Sequence, residues 1–269
     1  MTQGAVSRPS TKPGPLMQVR DLSVAFGGIR ALDTVSFDVP RGMIFGLIGP
    51  NGAGKTTLFN CMSRLYNADS GDILYDGRSI LGLPVHRIAG AGIGRTFQNL
   101  ALFDSMTVLD NVLTGGHHKS RSDYLSNALR LPWARREERL LREKAAGIME
   151  DLSLSGIAGQ RVADLPFGTR KRVEIARALM ADPGIILLDE PAGGLNHDEV
   201  HELIALIRRI RDEHGVTILL VEHHMGMVME ISDRIVVINF GKKIAEGTPA
   251  EIQTHPEVIR AYLGGQEPS

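Results

Sequence analysis

The pattern of apolar positions divides the chain into three stretches. Residues 43–49 and 185–188 form nearly continuous apolar runs, which is typical of parallel strands buried on both faces. Helical periodicity alternates with further strand-like runs up to about residue 238, and this alternation predicts a parallel sheet with crossover helices. Residues 84–166 contain few strand signals, and an apolar stripe predicts a helix over residues 133–152. We therefore expect an α/β core with an inserted, mostly helical subdomain at residues 84–166.

The ends of the chain have a different character from this core. Residues 1–16 are rich in Pro, Gly, Ser and Thr and lack the apolar segment of a secretory signal, so we expect a flexible tail there. A second short tail is expected at residues 265–269, which leaves one folded region at residues 17–264. The longest aliphatic runs are strand-sized, far below the roughly 20 residues that a spanning helix needs. The sequence thus predicts a cytoplasmic chain that meets a membrane only through partners.

Composition and charge exclude some classes of protein. The 269 residues include 30 Lys and Arg against 31 Asp and Glu, so the formal net charge is −1. This balance argues against a strongly basic nucleic-acid-binding protein, and no nucleic-acid partner is expected. The single cysteine, Cys61, excludes a disulfide framework and fits a reducing compartment.

A glycine-rich motif follows the first buried apolar run. The string GPNGAGKTT fits the P-loop pattern, and it stands between a predicted strand and a predicted helix, as that motif requires. Its glycines allow the backbone to wrap around phosphates, so that successive N–H groups and the helix N-terminus face the anion. The candidate nucleotide-binding residues are Gly49, Pro50, Asn51, Gly52, Ala53, Gly54, Lys55, Thr56 and Thr57. In such a site Lys55 reaches the β- and γ-phosphates of ATP, and the Thr56 hydroxyl holds Mg²⁺.

Two acidic residues end the second buried run, in the string GIILLDE. Asp189 is expected at the carboxyl edge of the sheet, where open α/β sheets bind ligands, and it can help to organise Mg²⁺. Glu190 is then a candidate general base toward an attacking water. An acidic pair after an apolar run is weak evidence of a catalytic site by itself. The P-loop upstream is what makes a catalytic role the better interpretation.

With these motifs, residues 17–264 resemble the ATP-binding subunits of ABC transporters. The resemblance implies a P-loop ABC ATPase core with an antiparallel β subdomain and an α-helical insertion. Phe26, before two glycines, matches the aromatic residue that stacks on adenine in that family. Gln98, in RTFQN, matches the Q-loop glutamine that touches the metal site and links it to the transmembrane partner. His223, in LLVEHHM, matches the switch histidine that contacts the γ-phosphate.

The chain departs from this family at its signature motif. The usual LSGGQ is replaced by LPFGT, which keeps Gly168 but has Pro166 in place of the serine that binds the γ-phosphate. In the family, the signature of one subunit completes the ATP site of the other, so the departure removes a hydroxyl contact from the facing site. The backbone N–H groups around Gly168 remain available to a phosphate. In the D-loop, Asn196 stands where many members have aspartate.

These departures occur together in one subgroup. The proline-aromatic-glycine signature, the GLN of the D-loop and the C-terminal string PEVIRAYLG are similar to the larger ATPase of branched-chain, or hydrophobic, amino acid importers. That resemblance implies two transmembrane permease subunits, a second related ATPase or a homodimer, and a periplasmic solute-binding protein. It also implies a position on the cytoplasmic face of the inner membrane.

Other functions stay open at this point. One alternative is an ABC exporter ATPase, and another is a non-transport ABC protein that acts on nucleic acid or ribosomes. A P-loop kinase leaves Gln98, Gly168 and His223 without a role. A regulatory ATP-binding subunit with poor hydrolysis is a further reading of the altered signature.

Overall fold

A computed structural model of the chain describes residues 14–96, 101–116 and 132–263. These described residues fall into two compact units, one within residues 1–88 and 184–269 and the other within residues 89–183. In chain order, the strands of the described residues are β1 (Met17–Phe26), β2 (Ile29–Val39), β3 (Ile44–Ile48), β4 (Ser70–Tyr75), β5 (Arg78–Ser79), β6 (Ile93–Arg95), β7 (Ile185–Asp189), β8 (Thr217–Val221), β9 (Arg234–Asn239) and β10 (Lys242–Gly247). The described α-helices are α1 (Lys55–Met62), α2 (Val108–Thr114), α3 (Pro132–Asp151), α4 (Phe167–Leu179), α5 (His197–His214), α6 (Met225–Ile231), α7 (Pro249–Thr254) and α8 (Pro256–Leu263).

The first unit contains the parallel core that the sequence predicts. Five of its strands follow one another in the order β10-β9-β3-β8-β7. β3 pairs in parallel with β8 and β9, and β7 pairs in parallel with β8. Every residue of β3, β7 and β8 is buried, which confirms that these continuous apolar runs are covered on both faces. β3 and β7 lie on either side of β8 and run parallel to it, so their carboxyl ends lie at the same edge of the sheet. The P-loop follows β3 at this edge, and the acidic pair lies at the end of β7.

An antiparallel sheet forms the rest of this unit's β-structure. Its strands lie in the order β2-β1-β4-β5. This sheet is the antiparallel β subdomain that the family resemblance implies. Side chains of β1 alternate between buried and partly exposed, which is the pattern of a strand with one covered face. The pairing register shifts between Val19 and Leu22, and Asp21 adopts a positive φ of 45° there.

Helix α1 is shorter than its apolar spacing predicts. In the sequence, Leu58, Cys61, Met62 and Leu65 have the i, i+3, i+4, i+7 spacing that predicts one apolar helix face. This prediction is wrong at its end, because Leu65 is 44% exposed and lies outside the helix. Arg64 has a φ of 62°, a left-handed conformation that a continuing helix cannot contain. Leu58 and Cys61 are fully buried, so the predicted core role of this face is confirmed for the first two turns.

The second unit is mainly helical among its described residues. Helix α3 covers nearly the whole segment that the apolar stripe predicts, and Ala145, Ile148 and Leu152 are buried. On its exposed face, Arg142 pairs with Glu138 at 3.0 Å, an i,i+4 pair that adds a few tenths of a kcal/mol, about 0.3–0.5, to helix stability.

The D-loop asparagine begins helix α5. Asn196 Oδ1 accepts a hydrogen bond of 3.0 Å from the Glu199 N–H, and the Glu199 carboxylate accepts one of 2.9 Å from the Asn196 N–H. This capping box satisfies two N–H groups at the start of the helix. Because asparagine and aspartate cap helices about equally well, the departure from aspartate at this position keeps the local structure intact.

Candidate functional site

The P-loop joins the end of β3 to the start of α1 within the first unit. Its first and third glycines are required by close backbone contacts. A Cβ on Gly49 would lie 2.0 Å from the Ile238 carbonyl oxygen, and one on Gly54 would lie 2.5 Å from the Ala31 carbonyl oxygen. Gly54 also has a φ of 103°, which L-residues with a side chain rarely adopt. These contacts hold the loop against Ile238 of β9 and Ala31 of β2. Helix α1 begins directly after Gly54.

The Lys55 side chain lies inside this loop. It is 8% exposed, and its Nζ donates hydrogen bonds to the carbonyl oxygens of Gly49 at 2.7 Å and Pro50 at 2.9 Å. Burial lowers the pKa of the Lys55 ammonium, while the negative charge of Glu190 opposes that shift. The charge is thus held at the mouth of the loop by bonds to carbonyl oxygens, which a phosphate oxygen can replace.

The other P-loop residues are arranged around this lysine. Asn51, Gly52 and Thr56 are exposed, Pro50, Gly54 and Thr57 are partly exposed, and Ala53 is buried. The exposed Thr56 hydroxyl is in the first turn of α1, one residue after Lys55. A hard divalent cation prefers oxygen ligands of this kind, so Thr56 and Asp189 suit Mg²⁺ in their chemistry.

The acidic pair stands at the end of β7. Asp189 is the last residue of that strand and is 6% exposed, whereas the Glu190 side chain is 27% exposed. Glu190 has a positive φ of 46°, and its N–H donates a hydrogen bond of 2.9 Å to the Val221 carbonyl at the end of β8. A non-glycine residue in this conformation is strained and is found where the surroundings hold it in place, often at functional sites.

His223 lies next to Glu190. Its Nδ1 is 3.6 Å from Glu190 Oε1, and its side chain is 60% exposed. The two residues come from loops after neighbouring strands, β7 and β8, which explains why residues 33 positions apart meet. The structure thus brings together the candidate base and the candidate γ-phosphate sensor on the same side of the sheet as the P-loop.

Two contributors to this site have no signal in the sequence motifs. Glu222, before His223, is a carboxylate buried to 1% exposure. Tyr262, on α8, hydrogen-bonds the backbone of Gly49, and burial raises the pKa of its phenol to about 12. A groove of about 460 Å³ beside it is lined by residues that include Pro50, Asn51 and Arg260. Helix α8 therefore lies against the P-loop, which neither its length nor its composition indicates.

Phe26 ends β1 with its ring at the surface. The side chain is 48% exposed, and its ring makes an edge contact with Tyr66, with centroids 5.3 Å apart and planes at 70°. Because nearly half of Phe26 is exposed, this T-shaped contact leaves ring surface open for stacking. This geometry is suitable for an adenine ring, the role that the family resemblance implies.

Two further predicted site residues are not among those that the structure brings together in the first unit. Gln98 lies outside the described residues. Gly168 belongs to the second unit, in the first turn of α4, where Pro166 is the N-cap residue and has no side-chain cap. The Lys171 ammonium lies 5.2 Å from the centroid of the neighbouring Phe167 ring, a cation–π contact at the same helix end. The N–H groups of this first turn are the ones that an anion would meet.

Within the three described segments, no helix is both long enough and apolar enough to cross a membrane. The cluster in the first unit combines the P-loop and its lysine with acidic and imidazole side chains at the carboxyl edge of a parallel sheet.

Comparison with known proteins agrees with this geometry. Residues 32–193 match the family described as ABC transporter, and residues 242–268 match that described as branched-chain amino acid ATP-binding cassette transporter. The chain is 46% identical to the high-affinity branched-chain amino acid transport ATP-binding protein BraF of Pseudomonas aeruginosa, over 93% of this chain and 98% of that protein. It is 44% identical to the corresponding LivG protein of Escherichia coli, with the same coverage.

Solved structures show the same architecture. An ATP-binding cassette of an ABC transporter in its ADP conformation is 33% identical, with a TM-score of 0.80 over 93% of this chain and 98% of that one. A nucleotide-free cassette from an ABC transporter is 32% identical, with a TM-score of 0.79 over 92% of this chain and 98% of that one.

Proposed function

Because the chain belongs to the ABC transporter family of ATP-binding proteins, we propose that it is the ATP-hydrolysing subunit of an importer for branched-chain or related hydrophobic amino acids. The transported class rests on the relatives, which are named as high-affinity branched-chain amino acid transport proteins. It also rests on the C-terminal match at residues 242–268, which includes the helix that contacts the P-loop.

The proposed reaction is hydrolysis of ATP on the first unit. Adenine stacks on Phe26, the phosphates lie on residues 49–57, and the Lys55 ammonium exchanges its carbonyl partners for phosphate oxygens. Thr56 and Asp189 would hold Mg²⁺, together with Gln98 as the family resemblance implies, and the ion would neutralise charge on the phosphates. Glu190 orients the attacking water and accepts its proton as the water oxygen bonds to the γ-phosphorus. The bond from that phosphorus to the β–γ bridging oxygen breaks, so that ADP leaves, and His223 contacts the γ-phosphate.

The 3.6 Å separation of Glu190 and His223 beside the P-loop is the observation that carries this mechanism. Phosphoryl transfer depends on positioning and charge stabilisation, so a site with only one subunit's residues is expected to be slow. We propose that a second ATPase of the same family, or a second copy of this chain, completes the site with its signature segment. In turn, the signature segment around Gly168 serves the partner's site.

The proposed assembly has two transmembrane permeases and receives solute from a periplasmic binding protein. The chain then lies on the cytoplasmic face of the membrane through its permease partners, with no nucleic-acid partner. Solute choice belongs to the permeases and the binding protein, so the motor subunit contributes energy and timing.

Purification of the tagged chain from its native membranes in mild detergent tests this assignment. We expect two permeases and a second ATPase in the purified complex, together with ATP hydrolysis that rises when a binding protein loaded with leucine is added. If the purified complex hydrolyses ATP at the same rate with and without any loaded binding protein, an exporter is indicated instead. Recovery of ribosomes or nucleic acid with no membrane protein overturns the transport function while leaving the ATP site in place.

A further inference from the structure

A carboxylate with almost no access to solvent stands between the two catalytic loops of the first unit. Glu222 follows β8 and is 1% exposed. Its Oε1 accepts a hydrogen bond of 2.6 Å from the Ala192 N–H, in the segment after Glu190. Its Oε2 accepts bonds of 3.1 Å and 3.3 Å from the N–H groups of His223 and His224. One side chain is therefore bonded to the backbones of both loops.

Such an arrangement is costly unless every bond is made. A buried carboxylate loses its hydration, and only charge-assisted hydrogen bonds offset that loss. Here three backbone N–H groups supply them, and none of the three can be satisfied by an apolar side chain at position 222. The bonds are thus specific to an acceptor with two oxygens that point in different directions.

A second connection runs in parallel with the first. The Glu190 N–H donates to the Val221 carbonyl oxygen at 2.9 Å, immediately before Glu222. The loop that carries Glu190 is therefore fixed to the end of β8 on both sides of the catalytic residue, at Glu190 itself and at Ala192. Because Glu190 is in a strained left-handed conformation, its position depends on such bonds.

We propose that Glu222 is a positioning residue that holds the His223 loop and the loop after Glu190 in register, so that both side chains face the same γ-phosphate. Glu222 does not itself reach the nucleotide, since its two oxygens are occupied by backbone N–H groups and its side chain is buried. The inference rests on the proposed roles of Glu190 and His223.

Glu222→Gln in the purified complex tests this role. The amide keeps the size of the side chain but offers one acceptor oxygen in place of two. Its NH₂ group would face a backbone N–H, and because both groups are donors that hydrogen bond is lost. We expect kcat to fall about 10- to 100-fold, since displacements near 1 Å at a reacting centre have effects of this size. The KM for ATP and the rise of the melting temperature with ATP should stay within about twofold of wild type, because the P-loop is untouched.

Glu230→Gln is the matched control, with the same change of charge on the exposed end of α6. Glu230 pairs with Arg208 only at 3.7 Å and lies outside the site, so kcat should stay at the wild-type value. If Glu222→Gln does not fold, Glu222→Asp serves instead, because it keeps the carboxylate and shortens its reach.

A double-mutant cycle with His223→Ala separates positioning from a general loss of structure. Because Glu222 is proposed to act through both His223 and Glu190, the effect of Glu222→Gln on kcat should shrink in the His223→Ala background and in the Glu190→Gln background. Losses of kcat that are additive in both backgrounds overturn the proposal, as do an unchanged kcat or a loss that tracks ATP affinity. Failure of the proposed function shows differently, as a wild-type complex that lacks ATP hydrolysis.

Discussion

The imidazole Nδ1 of His223 lies 3.6 Å from Oε1 of Glu190, across the ends of two neighbouring parallel strands. This places the proposed general base and the proposed γ-phosphate contact on one side of the sheet. The Lys55 ammonium, held by the P-loop carbonyls, lies close enough to Glu190 for their charges to interact. Glu190 thus lies near both the Lys55 ammonium and the His223 imidazole.

Removing the carboxylate of Glu190 should separate hydrolysis from binding. In Glu190→Gln we expect kcat to fall by about 10²–10⁴, the usual contribution of a general base, with ATP affinity retained. The measurement is steady-state hydrolysis by the purified complex together with nucleotide-dependent melting. Glu230→Gln again controls for the change of charge. A turnover equal to wild type in Glu190→Gln removes Glu190 from the role of base.

Lys55 should contribute to nucleotide binding far more than to the fold. Saturation with ATP at 100 times Kd stabilises a protein by about 2.7 kcal/mol, and we expect Lys55→Met to lose most of this gain. Since burial already lowers the pKa of the ammonium, removing the charge should change the melting temperature of the free protein little. Lys243→Met, which removes a surface pair with Glu246 at 3.1 Å, should keep the full response to ATP. An ATP-induced shift of wild-type size in Lys55→Met contradicts this account.

Much of the fold follows from local patterns, whereas parts of the site do not. The continuous apolar runs predict β3, β7 and β8 because strands buried on both faces have no polar alternation. The end of α1 is missed because Arg64 adopts a left-handed conformation that spacing does not reveal. Glu222 and Tyr262 are missed for another reason. Each contacts the backbone of a loop distant in the chain, at Ala192 for Glu222 and at Gly49 for Tyr262, and no motif records such contacts.

Two glycines should respond in opposite directions to the same substitution. In Gly49→Ala the new Cβ would lie 2.0 Å from a backbone oxygen, so we expect a loss of stability on the order of 3 kcal/mol. Gly147, within α3, has nothing within 4 Å of its position for a Cβ. Gly147→Ala should therefore stabilise the protein by roughly 0.5–1 kcal/mol through helix propensity. Urea unfolding of the two variants checks both signs, and a stable Gly49→Ala protein contradicts the close approach of the P-loop to β9.

Cys61 should behave as an unreactive core thiol. It is fully buried on α1, and burial raises its pKa from 9.0 to about 11, so the thiolate is scarce at neutral pH. A thiol reagent such as 5,5′-dithiobis(2-nitrobenzoic acid) should react with the native protein only through opening of the structure. Added ATP should slow that reaction further, because α1 directly follows the P-loop.

The same pKa shift has a defined effect on stability. The pKa of Cys61 is higher in the folded state than in the unfolded chain. The thiol's contribution to the free energy of unfolding is therefore fully present below pH 9 and is lost as the pH rises toward 11. The free energy of unfolding of the wild type should therefore fall more steeply over this range than that of Cys61→Ala. For the labelling experiment, the contrary outcome is a fast reaction of the native protein at pH 7 that ATP does not slow. That outcome would show that the thiol is accessible and that this face of α1 is not part of the core.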